Sequence, residues 1–136
     1  LSFGVSTLIL LFQRSVYKMR FALNHETVEG NFMTVCIGNC TGYGQTPSAV
    51  PYNGMLDVSE VTITQLSGMV MGLYLLLTGK FLKHKNVQPF RTRSIVFSEV
   101  QSNAVCVDGS MINTHKGEFT IDIHKEVVNF IIPYKK

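Results

Sequence analysis

Tryptophan is absent, and only 15% of the side chains are charged, against about a quarter in ordinary globular domains. So sparsely charged a surface implies that something covers part of it: another domain, a subunit or a lipid. No apolar run reaches the roughly 20 residues that a membrane span requires. Residues 2–12 are apolar, yet they carry no basic leader and no small-residue cleavage site, so they do not read as a secretion signal. The first residue is Leu1 rather than methionine. The expectation is a chain that starts inside a longer protein, with part of the active machinery elsewhere. Three cysteines, Cys36, Cys40 and Cys106, are too few and too odd in number for a disulfide framework. Cys36 and Cys40 read as ordinary buried thiols, and a reducing cytoplasm fits.

Other absences exclude whole classes of chemistry. The net charge of +3 is mild and favours an anionic membrane surface only weakly. There is no basic run and no aromatic–basic interleaving, which argues against a nucleic-acid partner. His25, His84, His115 and His124 are scattered and read as surface or turn residues. No serine lies in a GxSxG context, and no Walker loop or strand–GxGxxG–helix element is present.

What is present is apolar and strand-like. With 136 residues and 46% apolar content, the chain suits one domain, residues 1–136, around a sizeable core. Val5, Leu8, Ile9, Phe12 and Val16 recur at helical spacing and predict an amphipathic helix over 5–16. From Tyr17 the period falls to two. Tyr17, Met19, Phe21 and Leu23 alternate with Lys18, Arg20, Ala22 and Asn24, as a half-buried strand does. Residues 24–31 read as a polar turn, and 32–37 as the strand that completes a hairpin. A loop with Gly38, Gly42 and Gly44 follows over 38–51. Residues 55–63 alternate again, without a cleanly apolar side.

Thr64 can cap a helix in which Leu66, Met69, Val70, Leu73, Leu76 and Leu77 share one face and Gly79 marks the end. Met71, Tyr74 and Leu75 make its other side apolar too, so this helix is expected to be buried or docked on a partner. Further strands are expected at 91–100, 104–107, 118–124 and 127–132. Many short strands, close turns and no βαβ alternation predict a mainly β fold. It is an antiparallel β-sandwich with one or two appended helices, α+β overall. An open sheet edge or the helix offers a route to a homodimer.

Two segments about fifty residues apart place glycine beside a short polar side chain at the tip of an apolar run. One is Asn53-Gly54-Met55-Leu56-Asp57, the other Val107-Asp108-Gly109-Ser110. Asp108 at a strand end can act as a general base toward a hydroxyl, and Asp-Gly is equally a hairpin turn. Asn53 and Asp57 offer hard oxygen donors suited to Mg²⁺, and Asn-Gly is equally a turn. The glycines of the 38–44 loop can let a ligand approach the backbone.

Together the tips carry a resemblance. The string Asn39-x-x-Gly42-x-Gly44-x-x-Pro47-x-Ala49-x-x-x-Asn53-Gly54-x-Leu56-Asp57-Val58 resembles the C-terminal half of the diacylglycerol kinase and sphingosine kinase catalytic family. Asp108-Gly109-Ser110 looks like that family's later Asp-Gly-Glu element, and the closing strand with Pro133 is also similar. The resemblance covers roughly residues 17–133. It implies the second, β-sandwich domain of a two-domain lipid kinase, with ATP in the cleft between the domains. The preceding nucleotide-binding domain of that family carries a Gly-Gly-Asp-Gly loop, which these residues lack.

By the same resemblance Asp108 is the base toward a lipid alcohol, and Gly109 and Ser110 stand beside the nucleotide. Asn53, the Leu56 carbonyl and Asp57 then help hold Mg²⁺. Two positions depart from the family. Asn53 replaces an Asp and loses a charge, and Ser110 replaces a Glu. The resemblance further implies a cytoplasmic enzyme that meets the inner membrane face peripherally, and a fragment that is inactive without its nucleotide domain. Two other readings are a non-catalytic β-sandwich module binding a lipid or protein, and a sugar-nucleotide or NAD kinase relative.

Overall fold

The computed structural model describes residues 15–41, 46–50, 53–62, 65–101, 104–114 and 118–124. The expected strand over 127–132, Thr64, His115, Gly42 and Gly44 lie outside the described residues, as does the expected helix over 5–16 apart from its last two positions.

The chain opens with a hairpin. Strand β1 (Tyr17–Leu23) pairs antiparallel with β2 (Glu26–Phe32). The turn takes only Asn24 and His25, both at positive φ (50° and 68°), the backbone that a tight two-residue hairpin requires. The polar segment expected to be turn is therefore mostly strand. β2 is the edge of its sheet, so Glu26, Thr27, Glu29 and Asn31 can face solvent while Val28 and Phe32 face inward. Glu29 meets Lys18 at 3.3 Å and Arg20 at 2.7 Å across the strands. The expected strand over 32–37 is divided: Phe32 ends β2, and β3 (Thr34–Gly38) enters a different sheet. The Met33 N–H donates to the Val61 carbonyl at 2.8 Å at that corner.

β3 pairs with β4 (Leu56–Val61), which pairs with β5 (Val87–Thr92). β4 is central in this sheet, and all six of its residues are buried. Coverage of both faces explains why its sequence shows no clean apolar side. The expected strand over 91–100 is also two strands. β5 ends at Thr92, and β6 (Ser94–Val100) crosses to pair with β1. Thr92 fastens the corner: its Oγ1 donates to the Ser94 carbonyl at 2.7 Å. Ser98 is the extra residue of a bulge in β6, and its Oγ donates to the Arg20 carbonyl at 3.2 Å. β7 (Ala104–Val107) and β8 (Ser110–Asn113) form a separate ribbon, and β9 (Phe119–Asp122) pairs with β6.

The two larger sheets face each other. Phe21, Leu23, Phe32, Ile95 and Phe97 of the β2-β1-β6-β9 sheet pack on Val58 of β4, with Val35, Ile37 and Phe90 beside it. Phe21 lies 5.5 Å from Phe32 and 5.2 Å from Phe97, centroid to centroid. Each such buried side chain contributes about 2 kcal/mol.

Helix α1 (Leu66–Leu77) packs at the Val61 end of β4, against residues 81–83 and Val87. Its N-cap is Gln65, without a side-chain cap, and Gly79 at φ +69° follows its end. Met69 and Gly72 are buried and Leu76 packs beneath, against Val61, Phe81 and Val87. The docking stripe is thus narrower than the expected face. Leu66, Val70 and Leu77, with Met71 and Tyr74, are exposed. Among the described residues no helix is long and apolar enough to cross a membrane.

Candidate functional site

The first glycine tip is the corner where the 46–55 segment enters β4. Asn53 sits in an Asx turn: its Oδ1 accepts from the Met55 N–H at 2.8 Å, and Gly54 has φ +68°. Asn53 is exposed, while Leu56 and Asp57 are buried. The turn reading of Asn53-Gly54 is what the structure shows, at the corner that leads into the strand carrying Asp57.

Asp57 is 5% exposed, which demands compensation for its charge. Arg91 supplies it from the directly opposite position of β5. Its Nη2 and Nε donate to one oxygen, Asp57 Oδ1, at 2.8 and 3.1 Å. Nη2 also reaches the Ser48 carbonyl at 3.1 Å, so one guanidinium ties the strand to the overlying loop. The second oxygen, Asp57 Oδ2, is buried without a partner among the described residues.

The loop is held by Thr46, whose Oγ1 donates to the Cys40 carbonyl at 3.3 Å. A Cβ on Gly38 would come within 2.9 Å of that same Oγ1. The close approach expected at Gly38 is therefore made by the chain's own Thr46 rather than by a ligand. Ala49 in the same segment is 2% exposed, and its N–H donates to the Thr46 carbonyl at 3.2 Å.

The second tip is a tight hairpin. Asp108 (φ 46°) and Gly109 (φ 84°) form the two-residue turn between Val107 and Ser110, which pair in register. Asp108, Gly109 and Ser110 are all exposed. The Asp108 carboxylate has no hydrogen bond or ion pair among the described residues. Asn53 lies in the turn before β4, and Leu56 and Asp57 are the first two residues of that strand. The structure places Asp108, Gly109 and Ser110 on a ribbon of their own, with no described bond between the two groups.

Two groups escaped the sequence reading. Arg91 lies 34 residues from Asp57, and only strand register makes them neighbours. Glu60, also on β4, is 3% exposed with Oε1 unpartnered among the described residues, and burial pushes its carboxyl from an ordinary 4.5 up to about 7. The histidine reading needs one correction. His25 and His124 are exposed, but His84 is buried, with Nδ1 accepting from the Asn86 N–H at 3.1 Å. The thiol reading needs another. Only Cys36 is half-buried, while Cys40 and Cys106 are exposed. Burial raises the Cys36 thiol pKa against a weaker lowering by Thr34.

The donor set fits Mg²⁺ in kind, since the ion takes few carboxylates and completes its shell with water and substrate phosphates. A buried, unpartnered carboxylate oxygen at the mouth of an Asn-Gly turn is such a donor. The described residues hold no cluster of three or more His, Cys, Asp or Glu able to bind a metal by themselves.

Residues 1–125 match the model of the YegS C-terminal NAD kinase β-sandwich-like domain. Comparison with curated proteins returned no match. Among solved structures, the chain is similar to a candidate diacylglycerol kinase from Bacillus anthracis str. Sterne, at 18% identity and a TM-score of 0.64, covering 93% of this chain and 47% of that one. A diacylglycerol kinase structure from the same organism matches at 14% identity and a TM-score of 0.59, covering 92% of this chain and 47% of that one. The chain thus spans less than half the length of the solved proteins it matches. At such identities the likeness establishes the sandwich fold.

Proposed function

The chain belongs to the YegS C-terminal NAD kinase β-sandwich-like domain family, and from that premise we propose that it is the lipid-accepting half of an ATP-dependent, diacylglycerol kinase-like enzyme. Residues 1–136 form one domain of it, and a separate nucleotide-binding domain completes the cleft.

The observation that carries this reading is Asp57. Its Oδ1 is fixed by Arg91, and its Oδ2 is buried and unpartnered beside the Asn53 turn. A carboxylate held so rigidly is positioned for a cation that also binds the phosphates of ATP. Asn53 and the Leu56 carbonyl are the further oxygens of that site. When bound, Mg²⁺ supplies charge neutralisation for the transferring phosphoryl group.

Asp108 takes the proton of the lipid hydroxyl as the alcohol oxygen attacks the γ-phosphorus, and ADP departs with the electron pair of the broken bond. Exposure on a hairpin tip suits a base that must reach a lipid presented from outside. Gly109 and Ser110 adjoin the nucleotide. The enzyme works in the cytoplasm, peripheral to the membrane that holds its acceptor, and the domain alone transfers no phosphate.

The test uses the protein with its nucleotide-binding domain, Mg²⁺, labelled ATP and a panel of lipid alcohols. Transfer to one lipid, lost in Asp108→Asn, is expected. Asparagine tolerates positive φ, so this variant keeps the turn. Turnover undiminished by the substitution would remove Asp108 from its role. The second reading, a binding module without catalysis, is favoured by the lost acidic groups at Asn53 and Ser110. Lipid binding without transfer to any acceptor would establish it.

A further inference from the structure

Helix α1 and the segment after it line an open cleft of about 540 Å³. It is not the Asp57 corner. Val61, which lies beneath α1, is four residues along β4 from Asp57, a distance of about 13 Å.

The lining is cationic on one side. Lys83, His84 and Lys85 all contribute, and neither lysine has an ion pair among the described residues. The stretch 61–98 carries Lys80, Lys83, Lys85, Arg91 and Arg93 and not one Asp or Glu. His84 is 6% exposed, and its Nδ1 accepts from the Asn86 N–H. That bond puts the lone pair on Nδ1 and leaves the ring proton on Nε2. Nε2 has no partner among the described residues, so the ring keeps one accessible donor on a residue that lines the cleft. Ser67 and Gly68 bring the first turn of α1 to the same space, with no side-chain cap and no acidic residue there. The free N–H groups of that turn add positive potential. Met71 and Leu75 form an apolar wall.

We propose that this cleft binds a phosphate monoester. Two ammonium groups match a dianion, and the Nε2–H and helix amides supply more donors than one carboxylate would use. The apolar wall accommodates the carbon body that bears the phosphate. The proposal rests on this cleft alone and stands whether or not the domain serves a kinase.

The 136-residue chain is titrated with inorganic phosphate, and separately with phosphatidylcholine vesicles with and without phosphatidic acid, while the His84 ring is followed by NMR. A saturable shift of the His84 signals is expected. Lys83→Gln/Lys85→Gln weakens it about tenfold, the effect of losing charge-assisted bonds. Both lysines are exposed, so the fold is retained. Lys18→Gln/Arg93→Gln, basic positions that do not line the cleft, leaves it unchanged. A response to inorganic phosphate alone assigns the site to a soluble phosphate, and one requiring phosphatidic acid assigns it to a lipid headgroup. No saturable shift with either probe, or equal weakening by the control pair, overturns the proposal.

Discussion

Arg91 donates twice to Asp57 Oδ1, at 2.8 and 3.1 Å, and leaves Oδ2 buried with no partner among the described residues. One oxygen holds the sheet to its loop through the Arg91–Ser48 bond, and the other is the one the proposed cation site would use. Arg91→Met would leave a buried charge uncompensated. The expected loss is about 2 kcal/mol, below the figure for fully buried pairs because the Arg91 side chain is 45% exposed. Urea denaturation at pH 7 measures it. Arg91→Lys recovers part, since an ammonium keeps the charge but not the two-pronged geometry.

Gly38 and Thr46 provide a second test. A Cβ at Gly38 meets Thr46 Oγ1 at 2.9 Å, and Thr46 is itself buried and bonded to the Cys40 carbonyl. Gly38→Ala is expected to cost about 1–2 kcal/mol through overpacking. Gly38→Ala/Thr46→Ser removes the methyl, leaves the hydroxyl clash and restores little. Gly38→Ala/Thr46→Ala removes the clashing oxygen and restores more. Equal losses in both double variants would show that the hydroxyl is not the obstacle.

The pH dependence follows from Glu60, whose carboxyl is pushed up to about 7 by burial. Its folded pKa lies above the unfolded value, so the folded chain holds a proton that the unfolded chain has released. Stability contributed by that proton is complete below about 4.5 and is lost as pH rises to about 7. Thermal melts should show a decline between pH 5 and 7.5, on the order of 2 kcal/mol in all. Glu60→Gln, which stays neutral, should flatten the decline and raise Tm at pH 8. An unchanged slope in the variant would assign the dependence to other groups.

The sandwich was legible where alternation is clean. Tyr17–Leu23 reads as a strand because Met19, Phe21 and Leu23 alternate with Lys18, Arg20 and Ala22, and so it is, with Phe21 and Leu23 buried. The helix Leu66–Leu77 was legible from its leucines, but its docking stripe was not. Which apolar face packs is set by the tertiary contacts of Met69 and Leu76, and apolar residues all round cannot announce that. The β2 strand was hidden because an edge strand with one wet face resembles a polar turn. The divisions at Met33 and Arg93 were hidden because a corner between sheets breaks pairing without breaking apolar character. At the site, Asn53, Asp57 and Asp108 were visible as turn-and-acid tips. Arg91 was not, since nothing local marks its partnership across 34 residues.

The most direct measurement is the Mg²⁺ dependence of phosphoryl transfer by the protein with its nucleotide-binding domain, comparing the wild type with Asp57→Asn. Asparagine keeps one oxygen for Arg91 and replaces the unpartnered one with an NH₂ that cannot bind a cation. The account predicts a Mg²⁺ requirement shifted at least about tenfold upward, with Asn53→Asp shifting it the other way by restoring a carboxylate. Transfer with the same Mg²⁺ requirement in all three proteins would contradict it.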